Sequence, residues 1–134
     1  MKTFTDWEVT KAVEYVKSHD IESVAEMLLF VLGFKYNLCG TKYLRQGIVI
    51  RYGEENSLCK DLYNKIALHF CTTACRVERS IRHSICECCK AGHLAQINNL
   101  FRCHVFDENY APTNSQFISA VCTWIHLEKL RAEG

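Results

Sequence analysis

Between residues 62 and 88 apolar side chains recur every third or fourth position. They run first as Leu62, Ile66 and Phe70 and then as Val77, Ile81, Ile85 and Cys88, with only Cys71, Thr72 and Thr73 between helix-like series. That spacing predicts two amphipathic helices. A link of so few residues obliges them to cross steeply, and a small residue such as Ala67 near the crossing lets the two backbones approach. The unit that meets these conditions is a helix-turn-helix.

With Arg76 at zero on a helical wheel, Ala74, Val77, Ile81, Ile85 and Cys88 fall between about 100° and 180°, whereas Arg79, Arg82 and His83 fall between about 240° and 340°. One face is apolar and the opposite face basic. In a helix-turn-helix the second helix enters the major groove with its N-terminal residues toward the base edges. Arg76 and Arg79 then suit bidentate contact with guanine, and Glu78 suits a cytosine amino group. Arg82 and His83, a turn further on, suit phosphate, as do Thr72 and Thr73 together with the free N–H groups of the helix start. A solvated helix face that happens to carry three arginines explains the same pattern without DNA.

The remainder of the chain reads as helical too. Pro112 is the single proline, and no period-2 alternation extends beyond a few residues, so an all-α bundle of about six to seven helices is expected, with no strand. Helices are expected over 6–18, 21–32 and 41–52. A fourth starts from a Ser57 cap with Leu58 as its first apolar position. The fifth is capped by Thr72 or Thr73, covers about 73–90 and stops at Gly92. A short helix is expected over 94–101. The last begins where Thr113 and Gln116 have capping-box spacing. Residues 21–134 form one domain, while the acidic helix within 1–20 either belongs to the bundle or is an appendage. Trp7, Tyr15, Phe30, Phe34, Phe117 and Trp124 fall at helical spacing and are expected in the core.

Charge and cysteine content narrow the function classes. Net charge is only +1, yet residues 57–90 carry +3 and residues 1–41 carry −2, so positive charge gathers around the paired helices. No run approaches a membrane span, and the N-terminus lacks the apolar core of a secretory signal, which points to the cytoplasm. Nine cysteines are an odd number, and without an export signal they are expected as reduced thiols. Cys86, Cys89 and His93 have spacing that suits zinc, with Cys71, Cys75 or Cys103 as a fourth ligand, but no second C-x-x-C knuckle accompanies them. No nucleotide loop, nucleophile elbow or metalloprotease motif occurs, so neither an enzyme nor a cofactor is expected.

The segment TTACRVERSIRHSI resembles the C-terminal effector domain of the sporulation initiation (stage-zero A) response regulator family, which has TTASRVERAIRHAI. The resemblance continues in YLRQGI at 43–48, in LYNKIALHF at 62–70 against the family's LYPDIAKKF, in NNLF at 98–101 and in PTNSQFI at 112–118, in the same order. It implies a helical bundle around a helix-turn-helix that binds duplex promoter DNA, often as tandem copies. It implies base contacts at Arg76, Glu78 and Arg79 and backbone contacts at Arg82 and His83. A segment touching the sigma subunit of RNA polymerase corresponds to about 92–105, with Gly92, Ile97, Leu100, Phe101 and Val105 matching.

The chain also departs from that family. The receiver domain that precedes the effector in full-length members has no room here, so phosphorylation is not expected as the switch. Cys71 stands where the family has asparagine, Cys75 where it has serine and Asn64 where it has proline. Cys75 lacks the hydroxyl that would bond a phosphate at that position. Two further readings therefore stay open: a protein-interaction module that modulates a full-length regulator or polymerase without reading DNA, and a thiol or metal sensor on the same fold, with Cys75 and Cys86 on its more exposed side.

Overall fold

The computed structural model describes residues 4–54, 59–94, 96–102, 104–107 and 110–133, and every regular element among them is a helix. In chain order these are α1 (Asp6–Ser18), α2 (Ile21–Val31), α3 (Cys39–Gly53), α4 (Cys59–His69), α5 (Ala74–Lys90), α6 (Gln96–Phe101) and α7 (Asn114–Glu133). Ser57 and Leu58, expected at the start of α4, and Cys103 lie outside the described residues.

Side-chain caps set the starts of α1, α2, α5 and α7. Thr5 accepts from the Glu8 N–H at 3.1 Å and Asp20 from the Ser23 N–H at 2.9 Å. At α7 the capping is reciprocal: Thr113 Oγ1 accepts from the Gln116 N–H at 3.1 Å, and Gln116 Oε1 accepts from the Thr113 N–H at 3.0 Å. Three helices end in the same way, with a left-handed residue followed by an N–H that reaches back five residues. These bonds run from Phe34 to the Leu29 carbonyl past Gly33 (φ 84°), from Thr72 to the Ala67 carbonyl past Cys71 (φ 55°), and from His93 to the Cys88 carbonyl past Gly92 (φ 77°).

The bundle is built around α3, which packs against α2, α4, α5 and α7. Leu28, Leu44, Ile48, Ile66, Ile81, Ile85, Ile97, Phe117 and Ile125 are fully buried and form one continuous core. Val9, Ala12 and Val16 bring α1 into the same core. Its C-terminus is held by Lys129, whose ammonium donates to the Val16 and His19 carbonyls at 2.9 and 2.7 Å. Those carbonyls lie beyond the last intrahelical donors, so a cation there complements both the hydrogen bonding and the helix dipole.

Two aromatic residues expected in the core are outside it: Trp7 is 69% and Phe30 70% exposed. Trp7 lies roughly 200° around the wheel from Val9, one of the three residues that α1 buries, and its ring sits beneath the Lys11 ammonium. Phe30 belongs to a helix apolar on several faces, where periodicity cannot select the buried one. Tyr15 is half-buried, whereas Phe34, Phe117 and Trp124 are core residues. No helix among the described residues is long and apolar enough to cross a membrane.

Candidate nucleic-acid interface

The turn between α4 and α5 is closed by backbone geometry and one side chain. Cys71 takes the left-handed conformation that ends α4. Asparagine adopts that conformation more readily than cysteine, which gives the family's asparagine a physical reason. Thr73, not Thr72, is the N-cap of α5, and its Oγ1 accepts from the Arg76 N–H at 3.3 Å. The N–H groups of Ala74 and Cys75 then stand in the first turn, where the helix supplies no acceptor.

Helix α5 separates its faces as the wheel predicts. Val77, Ile81, Ser84, Ile85 and Cys88 are buried, while Cys75, Arg76, Arg79, Arg82 and His83 are exposed. Ala74, expected on the buried face, is half-buried because it sits at the open end of the helix. Glu78 is partly exposed and pairs with Arg82 at 3.3 Å, one turn along the helix. Arg76, Arg79, Ser80 and His83 join Leu38, Cys39 and Gly40 of the α3 start around a shallow concavity of about 380 Å³.

Two contacts with little sequence signature hold this helix in place. At Gly40, α3 and α5 approach so closely that a Cβ would lie 2.0 Å from the Ser80 carbonyl oxygen and 2.3 Å from Ser84 Oγ. Asn114, at the start of α7, is buried, and its Nδ2 donates to the Glu78 carbonyl at 3.1 Å and to the Tyr63 hydroxyl at 3.2 Å. One amide thereby ties α4, α5 and α7 together at the open end of the helix-turn-helix.

The other expected site residues are distributed differently. Ile97, Leu100 and Phe101 are buried core residues, Gly92 takes the left-handed turn that ends α5, and Val105 is half-buried. Packing and backbone geometry thus account for most of the matches in that segment. Cys86 and Cys89 are half-buried, and the His93 ring packs over Gly33. Among the described residues no three His, Cys, Asp or Glu side chains gather as metal ligands. Burial pushes the thiols of Cys88 and Cys122 up to about 12, which leaves them un-ionised near neutrality. Cys39, Cys71 and Cys75 are the exposed thiols among the described residues.

The seven helices among the described residues form a bundle that presents a capped, basic second helix beside a tight turn, the arrangement of a helix-turn-helix domain. The family described as "Sporulation initiation factor Spo0A C terminal" matches residues 24–125, from α2 into α7, and the chain belongs to that family. It is accordingly a DNA-binding domain of the sporulation-regulator effector type, from a regulatory rather than an enzymatic family.

Proposed function

We propose that the protein is a sequence-specific transcription regulator that binds duplex DNA with residues 73–90 in the major groove. The observation that carries this reading is the exposure of Arg76, Arg79, Arg82 and His83 together, on the face of α5 opposite Val77, Ile81 and Ile85. Arg76 and Arg79, in the first two turns, read guanine O6 and N7. Glu78 accepts from a cytosine amino group, or holds Arg82 extended along the helix through their ion pair. Thr72, Thr73 and Cys75, with the N–H groups of the first turn, and Arg82 and His83 further along, hold the phosphate backbone.

Two copies on adjacent sites would double the phosphate contacts without a new surface on the monomer. The segment of about residues 92–105 is the candidate contact for the polymerase sigma subunit, and the cytoplasm is the compartment in which both partners are met. In vitro selection from a random duplex pool tests the reading: a short motif with guanines at fixed spacing is expected. An enriched pool no different from the starting pool would leave the interaction module as the better account.

A further inference from the structure

Helices α1, α6 and α7, together with Arg102 and Val105, line an open groove of about 830 Å³ that runs along three turns of α7. Its α1 wall, Val13 and Lys17, lies outside the span that matches the family, and α5 contributes nothing to it. DNA binding therefore leaves it unexplained. We propose that this groove binds a free fatty-acid-type aliphatic carboxylate, with its tail along Phe101 and Trp124 and its headgroup held at the rim by Lys17 or Arg102.

Shape and charge both support this ligand. The volume lies within the roughly 300–1,000 Å³ typical of small-molecule sites. The floor is apolar and recessed, since Leu100, Phe101 and Trp124 are at most 9% exposed. Phe101 and Trp124 stack with their ring centroids 4.6 Å apart and their planes 11° from parallel, so each ring fixes the orientation of the other beneath the groove. At the rim, Glu128 is already satisfied by Arg131 at 2.8 Å. Lys17 and Arg102 are exposed and form no ion pair among the described residues, so the charge left to meet a ligand is positive.

The test uses the whole chain carrying Trp7→Phe, which leaves Trp124 as the sole tryptophan. Titration with octanoate, decanoate and laurate, each below its micelle concentration, should shift Trp124 fluorescence saturably, with affinity rising about fourfold per added methylene. Dodecanol, with the same tail and no charge, should bind at least about tenfold more weakly, a margin expected of a charge-assisted contact. The double variant Lys17→Ala/Arg102→Ala should bring laurate down to the dodecanol level. Thr123→Phe, at an exposed position on the groove wall, should block laurate while leaving the melting temperature unchanged. The proposal is overturned if dodecanol matches laurate, or if Thr123→Phe binds laurate normally. It is also overturned if Trp124 responds only to an amphipathic peptide or to phosphatidylglycerol vesicles.

Discussion

Gly40 is the point where the position of the recognition helix is most sensitive to a single methyl group. In Gly40→Ala the new Cβ would stand 2.0 Å from the Ser80 carbonyl oxygen, a backbone atom that no rotamer change can remove. Ordinary contact begins at 3.4 Å, so α3 and α5 must separate by roughly 1.4 Å or shift along one another. Overpacking against movable side chains costs about 1–3 kcal/mol, and against backbone the cost should reach or exceed the top of that range, well above the ~1 kcal/mol that alanine gains in helix propensity. At about 4 °C per kcal/mol for a domain of this size, the melting temperature should fall by roughly 10 °C. Two glycines of the same helix are internal controls. Gly47→Ala meets only the Ile66 and Ile118 Cδ1 atoms, at 3.2 and 3.6 Å, and Gly53→Ala meets nothing within 4 Å. Thermal and urea denaturation of the three variants should place Gly40→Ala far below the other two. Equal stability of Gly40→Ala and Gly53→Ala would refute the close helix contact.

Cys71→Asn should stabilise the domain by about 0.5 to 1 kcal/mol by relieving a left-handed backbone, readable as a higher urea midpoint; a lower midpoint would show that the thiol has a packing role. Hydrogen bonds from the Ser23 backbone and side chain hold the Asp20 carboxyl below its ordinary pKa. A lowered folded-state value means that this N-cap contributes fully above the unfolded-state pKa and is lost as pH falls through the folded one, so Asp20→Asn should flatten the acid limb of a melting-temperature profile. Iodoacetamide at pH 8, followed by peptide mass analysis, should label Cys39, Cys71 and Cys75 and spare Cys88 and Cys122, whose thiols burial pushes up to about 12.

What the sequence revealed of this fold depended on how local the cause was. α1 was legible to its limits, and the start of α7 was legible from the Thr113–Gln116 pair, because the caps that set these ends lie within a turn of them. α3 begins at Cys39 rather than Thr41, because Leu38 caps it with no side-chain bond and the glycine that reads as loop is required by α5. Thr41 is buried and donates to the Lys35 carbonyl instead of capping a helix. α6 begins at Gln96 rather than Leu94, following the turn bonds from Gln96 to His93 and from Ile97 to Leu94. The basic face of α5 was readable because it depends on periodicity alone. The Asn114 bridge and the Lys129 cap of α1 join residues far apart in the chain, and no spacing rule points to them.

Salt-dependent titration of the selected duplex most directly tests the claim that α5 reads DNA, with wild type, Arg76→Ala and Arg82→Ala compared. The account predicts that Arg76→Ala loses about 1 to 3 kcal/mol of discrimination between the selected and a scrambled duplex. Arg82→Ala should weaken both duplexes alike and reduce the salt slope by about one. Wild-type binding that does not change with salt, or two variants indistinguishable from wild type on both duplexes, would contradict it.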